Sequence, residues 1–432
     1  MFAVDLHIHS RFSRATSKSL TLPELFHSAR AKGISVLGTG DFTHPAWRRE
    51  MHEQLQDDGS GLLRLKKEFQ AVSSVGQTEL FSGSGGIGLS GQSFVVDDVR
   101  FILTCELSTI YSHNGRTRKV HHVFLAPDLR RADAVSEALQ ARGINITSDG
   151  RPMMGLTSQE LCEVVFTACP DCQLIPAHIW TPWFSVFGSR SGYDTIEECY
   201  GPYTEKILAL ETGLSSDPEM NWRCSQLDRF TLVSNSDAHS AVKLARECNV
   251  FAASALSDLT YGRLVEMIRK GDPAEFLFTA EFYPEEGKYH YDGHRVCEVC
   301  WSPEETRKHG GICPRCHQGV TVGVSSRVDE LSDRPVGYVP SNRPGVRHIV
   351  PLDELIASEF HMSATSKKTA ALRRALTEEY GSELRVLLDA DTDEISAFAG
   401  VNMGSAIRKM RSGEVEKSPG YDGEFGKVIV SV

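Results

Sequence analysis

Seven short apolar runs rich in branched residues recur through the first 280 residues, separated by longer amphipathic stretches. They lie near 2–8 (FAVDLHI), 34–39 (ISVLGT), 101–106 (FILTCE), 120–126 (VHHVFLA), 173–178 (QLIPAH), 207–211 (ILALE) and 230–236 (FTLVSNS). Helical periodicity fills several gaps, for example 22–32 and 134–142. Strands alternating with helices predict parallel pairing with right-handed crossovers. Seven such units predict an α/β fold closed as a seven-unit β/α barrel rather than an open sheet. The Gly- and Ser-rich stretch 71–98 is too polar for core and predicts a long loop over the barrel mouth. Residues 286–335 change character, with paired cysteines and turn formers, and 336–432 read as mainly helical at 352–359, 367–380 and 406–410, with a strand in the tail. The chain thus divides into a barrel (1–285), a small inserted-type module (286–335) and a C-terminal helical domain (336–432).

The first run carries Asp5, His7 and His9 on one strand face, with Val4, Leu6 and Ile8 on the other. Two imidazoles at i and i+2, at the strand end where barrels keep their sites, can hold one transition-metal ion. Other runs end alike, in Asp41 with His44 beyond it, Glu106, the pair His121–His122, His178, Glu211, and Asp237 with His239. Polar strand ends are common singly, but their recurrence in all seven units predicts one shared multinuclear metal site. Nitrogen and oxygen ligands suit Zn, Mn or Fe, and clustered divalent ions favour displacement at phosphorus. A metal-assisted amidohydrolase uses similar ligands.

The net charge of −11, with 46 basic against 57 acidic residues, excludes a protein that coats nucleic acid by bulk charge. Any nucleic-acid contact must come from local patches. No apolar run reaches the roughly 18 residues of a membrane helix, and the start (MFAVDLHIHS) lacks signal-peptide anatomy. A cytoplasmic protein without membrane contact is the expectation. Cys297, Cys300, Cys313 and Cys316 form two CxxC pairs twelve residues apart, which predicts one structural Zn in a closed four-thiolate site. Cys169 and Cys172 share that form without a second pair and read as free thiols. Gly83-x-Gly85-x-x-Gly88 matches a dinucleotide fingerprint by letter only, with no helix after it.

The strand-borne HIH at 7–9, GTGD at 38–41, Glu106, His121, His178 and SDAH at 236–239 resemble the PHP (polymerase and histidinol phosphatase) family. That family comprises metal-dependent barrels that include phosphatases and nucleases. The phrases DLHIHSRFSRATSK (5–18), GTGDFTHPAW (38–47), PAHIWTPWFS (176–185), ETGLSSDP (211–218), SNSDAHS (234–240), the CxxC pairs and PGYDGEFGK (419–427) are similar, more narrowly, to the endonuclease Q family of DNA repair nucleases. This resemblance spans nearly the whole chain. It implies a metal-dependent endonuclease that nicks 5′ to hypoxanthine, uracil, xanthine or an abasic site in double- or single-stranded DNA, leaving 3′-hydroxyl and 5′-phosphate ends. A small-molecule phosphoesterase on the same barrel is the alternative.

The resemblance further implies His7, His9, Asp41, Glu106, His121, His178, Asp237 and His239 as ligands of divalent ions (Zn, Mn or Mg). Asp237, His239, His9 and Asp41 would carry the catalysis. Phe42 stands where many PHP members have a ligating His, so either Asp41 or His44 reaches the metals, and alternation lets one of His121 and His122 face inward. For DNA, Arg11, Arg14 and Lys18 after the HIH, and Arg116, Arg118 and Lys119 before His121, can neutralise phosphates. Trp180 and Trp183 can stack on an extruded nucleotide. A further basic group, Arg327, Arg334, Arg343 and Arg347, follows the cysteines. A DNA substrate makes the protein nucleoid-associated and leaves room for a replication or repair partner, for which no short motif stands out.

Overall fold

The computed structural model describes residues 1–71, 93–252 and 255–430. Most of the predicted mouth loop 71–98, and the GxGxxG match within it, lie outside the described residues. The architecture is mixed α/β, built on an eleven-stranded central sheet with a mainly helical C-terminal part.

The apolar runs become β1 (Phe2–Asp5), β2 (Ile34–Gly38), β3 (Arg100–His113), β4 (Arg116–Ala126), β5 (Gln173–Pro176), β6 (Leu210–Glu211) and β7 (Leu232–Val233). β1, β2 and β3 pair in parallel, as do β6 and β7. β5 reaches the segment before β6 through a parallel bridge between Leu174 and Ile207, and the segment after β7 returns to β1 through Ile8 and Ala238. Pairing therefore runs round from β1 through the other six and back.

The expectation of parallel pairing throughout is corrected at β4, which is antiparallel to both β3 and β5. No helix separates β3 from β4. They form a hairpin whose turn residues, Asn114 (φ 51°) and Gly115 (φ 71°), both take the left-handed conformation. Asn-Gly is the favoured pair for a turn matching the twist of its strands. Tied by this turn, the third and fourth runs cannot cross over.

Helix Leu22–Lys32 shows how local signals set the elements. Thr21 caps its N-terminus through the Glu24 amide, and Gly33 (φ 93°) ends it. Leu22, Leu25, Phe26 and Ala29 bury against the sheet. The C-terminal helices Leu352–Glu359, Lys367–Tyr380, Glu383–Leu388, Thr392–Ala399 and Val401–Ser412 pack on one another and are anchored to this helix by the Lys32–Glu383 ion pair (2.7 Å).

Beyond β1 the sheet continues with Cys248–Phe251 and Phe276–Glu281. Beside the Cys248–Ala280 pair at one end of these strands are two buried carboxyls, Glu247, which accepts from Ser234 Oγ (2.6 Å), and Glu281. Burial pushes Glu247 up to about 8, and Glu281 is raised by burial and by the Glu247 charge. Between the ordinary value of 4.5 and about 8 the folded chain keeps the Glu247 proton that the unfolded chain has released, so stability falls as pH rises through that window. Glu247→Gln is expected to flatten this fall. Urea melts at pH 5 and pH 8 check it, the variant losing less stability between them than the native chain.

Candidate metal centre

Glu106 sits at the centre of the strand ends, fully buried, and four imidazoles surround it. Its Oε1 lies 2.5 Å from His121 Nδ1 and 3.2 Å from His178 Nε2, and its Oε2 lies 3.3 Å from His9 Nε2 and 3.7 Å from His7 Nε2. Asp237 Oδ1 closes the other side, 3.1 Å from His9 Nε2 and 3.7 Å from His7 Nε2. Ligand atoms converge as three overlapping groups: His7, His9 and Glu106; Glu106, His121 and His178; His9, Asp237 and His239.

These side chains fit divalent cations. His7 Nε2 is buried with no hydrogen-bond partner, and His121 Nδ1 and His178 Nε2 face each other at 3.3 Å. Burial alone would pull His7 and His9 down, yet carboxylates hold both well above the ordinary value: Glu211 and Glu106 for His7, Asp237 and Asp41 for His9. Burial also opposes ionisation of Asp237, but the imidazoles, His9 first, keep it far below the carboxylate range. Such a surplus of buried negative field calls for cations.

A layer behind the imidazoles fixes their orientation. The Glu211 carboxylate accepts from His7 Nδ1 (3.0 Å), from Asn235 Nδ2 (2.7 Å) and from the His178 amide (2.9 Å). Glu211 thereby turns His7 Nε2 inward, the carboxylate–histidine device of metal sites. Asp41 does the same for His9: its Oδ1 lies 3.3 Å from His9 Nδ1, and its Oδ2 accepts from the Ser10 amide (2.7 Å), Ser10 Oγ (2.6 Å) and Ser13 Oγ (2.8 Å). Asp5 is further back, clamping the 236–245 segment through the Ser236 and Ala245 amides. Asp41 (φ 51°), His178 (φ 29°) and Asp237 (φ 45°) are all left-handed, a local strain typical of functional positions.

The loop 148–152 lies directly on this layer. A Cβ on Gly150 would fall 2.2 Å from Asp41 Oδ2 and 2.5 Å from Ser13 Oγ, so the close approach requires glycine. Gly150→Ala is expected to push Asp41 off its serine donors, destabilising the fold by about 1–3 kcal/mol and cutting metal affinity roughly 10–100-fold. Thermal melts and metal titration of the variant check both.

The comparisons now bear on this centre. A family model described as the MJ0043 C-terminal domain matches residues 351–414. The protein MJ0043 of Methanocaldococcus jannaschii is 31% identical over 252 residues, 58% of this chain, and the match spans only 31% of that relative's length. YqxK of Bacillus subtilis is 30% identical over 439 residues, covering 98% of both chains. Among solved structures, the lesion-specific endonuclease PfuEndoQ of Pyrococcus furiosus aligns with a TM-score of 0.81 and 29% identity, over 99% of this chain and 95% of that one. Endonuclease Q in complex with a 27-mer duplex carrying an abasic lesion at its active site aligns with a TM-score of 0.81 and 29% identity, over 100% and 96% of the two chains. The chain belongs to the endonuclease Q family.

In this family member, His121 is the imidazole of its pair that meets the centre. His122 faces outward to Tyr200 (2.8 Å) and Thr109 (3.1 Å). Asp41, expected among the ligands, lies outside the three groups and serves His9. His44 stands just before helix Pro45–Gln54, contacts the Thr147 carbonyl (3.2 Å) and stacks on Phe12 (4.4 Å). Trp180 is not available to a nucleotide: it is buried, its Nε1 donates to Asn221 (2.7 Å), and it packs on Phe187. Trp183 is 37% exposed, edge-on to Tyr289.

Arg11 pairs with Glu50 (2.5 Å), Arg14 stays open to solvent beside Asp149 (3.3 Å), and Lys119 lies over the Phe184 ring (5.2 Å). Arg118 is buried over Tyr193, and Arg327 is buried against Phe187 and Tyr193 carbonyls, so both are structural. Sequence reasoning missed Arg151, whose guanidinium reaches Glu106 Oε2 (3.0 Å), and the donors Ser10 and Ser13. A cavity of about 480 Å³ opens beside His178, Asp237 and His239, with Glu286, Tyr289 and Phe425 on its far side.

In the small module, Cys297, Cys313 and Cys316 converge with His294 rather than with Cys300. His294 Nδ1 lies 3.4 Å from Cys316 Sγ, whereas Cys300 Sγ points to the Pro419 carbonyl (3.9 Å). Cys300 follows Val299 on the strand Val299–Trp301; Val299 turns into the module's small core, and alternation turns Cys300 to the other face. Burial raises the Cys313 thiol, but backbone donors of Cys316 and Arg315 bring it down to about 6, favouring the metal-binding thiolate. The expectation of free thiols at Cys169 and Cys172 is corrected: they form a disulfide, their Cα atoms 5.4 Å apart across a tight turn.

Proposed function

We propose that this chain is a metal-dependent DNA repair endonuclease on a PHP-type seven-unit barrel. It hydrolyses the phosphodiester 5′ to hypoxanthine, uracil, xanthine or an abasic site and leaves 3′-hydroxyl and 5′-phosphate ends. The observation that carries the reading is the three ligand groups sharing Glu106 and His9 at the strand ends, in a chain that aligns end to end with endonuclease Q. His7, His9, Glu106, His121, His178, Asp237 and His239 would hold the barrel ions, and Cys297, Cys313 and Cys316 would supply three thiolates to one structural Zn.

Divalent ions, when bound, would supply Lewis acidity to water and to the oxygens on phosphorus. The protein's own groups do the positioning. Glu106 joins two ligand groups through its two oxygens, and Glu211 and Asp41 hold His7 and His9 with Nε2 inward. Asp237, at the open side with 27% of its side chain exposed, can orient an incoming water. The 480 Å³ cavity beside it supports extrusion of the damaged nucleotide. Extrusion is easiest where a deaminated base is mispaired, which would confer part of the selectivity. Arg14, Lys119 and the exposed Trp183 edge are placed to hold the flanking strand, and the small module and helical domain would help grip the duplex.

Chelator-stripped protein tests the reading. Nicking of a uracil duplex should vanish, return with Mg²⁺ or Mn²⁺, and stay absent in metal-loaded Asp237→Asn. Restored hydrolysis of para-nitrophenyl phosphate without any DNA cleavage would instead favour a small-molecule phosphoesterase.

A further inference from the structure

We propose that Arg151 is a phosphate-binding residue of the centre, supplying a fixed positive charge that grips a non-bridging oxygen of the scissile phosphate. The assignment rests on the phosphoester-hydrolase reading above. Arg151 Nη1 donates to Glu106 Oε2 at 3.0 Å, the oxygen that faces His9 and His7. Among the described residues it is the Lys or Arg that touches this shared carboxylate. Yet 27% of its side chain remains open to solvent, beside Asp237 at the mouth.

A guanidinium carries five N–H donors in a planar fork, so one edge can hold Glu106 while another meets a phosphate oxygen. Three neighbouring cations are engaged elsewhere: Arg11 by Glu50, Arg118 by burial over the Tyr193 ring, and Arg246 by the Ser236 and Asp237 carbonyls.

The backbone is built to place this side chain. Asp149 Oδ1 accepts from the amides of Arg14 (3.2 Å) and Arg151 (3.1 Å), and the Gly150 amide donates to the Phe12 carbonyl (3.0 Å). Gly150 lies on the Asp41 carboxylate without room for a Cβ. The loop is thus fastened to the segment after the HIH, and the next residue necessarily reaches over the ligands. Pure charge balance for Glu106 would need neither this fastening nor an accessible edge.

The test uses the metal-loaded full chain with inorganic phosphate as probe, by calorimetry, with metal content measured in parallel. Arg151→Ala is expected to lose phosphate affinity roughly 100-fold with unchanged metal content. Arg151→Lys, keeping charge without the fork, should lose about 10-fold. Added guanidinium should restore phosphate binding, and turnover of a lesion duplex, to the Ala variant. Wild-type phosphate affinity in a folded, fully metallated Arg151→Ala protein overturns the proposal, and so does loss of metal in that variant, which would make Arg151 part of the cage. Because phosphate binding needs no lesion, a wild-type chain that cuts no DNA yet shows the Arg151-dependent affinity refutes the nuclease reading and leaves this assignment standing.

Discussion

Glu106→Gln is expected to empty the barrel centre and reduce hydrolysis by ~10³-fold or more, about 4 kcal/mol of transition-state stabilisation. Few substitutions so conservative in shape remove so much. Glu106 offers one oxygen to His121 and His178 and the other to His9, His7 and Arg151. An amide would replace one acceptor oxygen by a donor, directed at imidazole nitrogens that need a cation or a carboxylate. Two of the three ligand groups contain this residue, so both lose their shared charge at once. Metal analysis separates this account from a simple catalytic role: the variant should bind fewer barrel ions, whereas a proton-transfer role alone would leave the count unchanged.

The second large effect belongs to the small module. Its buried core is only Val299, Cys313 and Val320, too little to fold the hairpin Asp292–His294 and Val299–Trp301 by apolar burial. A metal in the cysteine group would contribute roughly 10–16 kcal/mol of apparent binding energy, which is folding energy for a segment without a core of its own. Cys313→Ser is therefore expected to release one metal per chain and expose 292–323 to protease, while the barrel melts as before. The bridge from Tyr291 to Tyr421 and the fit of Tyr421 against Gly293 couple the module to the C-terminal tail, so the tail should loosen with it. Unchanged metal content and protease resistance would refute a structural metal there. A Cys300→Ser variant with full metal content would show that His294 completes the set.

Alternation along the first run made His7 and His9 legible as a pair, because a strand end has just two faces and the apolar face was plain. The same logic let one of His121 and His122 face inward without choosing between them, the resemblance pointed to His121, and the 3.6-residue period with its caps gave helices such as Leu22–Lys32 and Lys367–Tyr380. The antiparallel position of β4 was written in Asn114-Gly115, but runs counted as barrel units obscured the turn. Arg151 was invisible because INITSDGRP carries no period; its importance comes from a tertiary contact between Gly150 and Asp41. Trp180 looked available because aromatic residues near a site read alike whether they line it or hold its wall, and Asn221, which takes its indole N–H, is forty-one residues away. Cys300 matched the spacing rule, yet strand geometry turned it from the other thiols. Glu211 was seen as a strand end, and only the fold shows it to be the carboxylate that orients His7.

The most direct test is a nucleotide-resolution digest of an end-labelled duplex bearing one hypoxanthine opposite thymine, with Mg²⁺ or Mn²⁺ and an undamaged duplex alongside. The account predicts a single cut immediately 5′ to the lesion, with a 3′-hydroxyl that a polymerase can extend, and none on the control. Equal cutting of both duplexes, a cut elsewhere, or no cut by the metal-loaded protein on any deaminated or abasic substrate would contradict it.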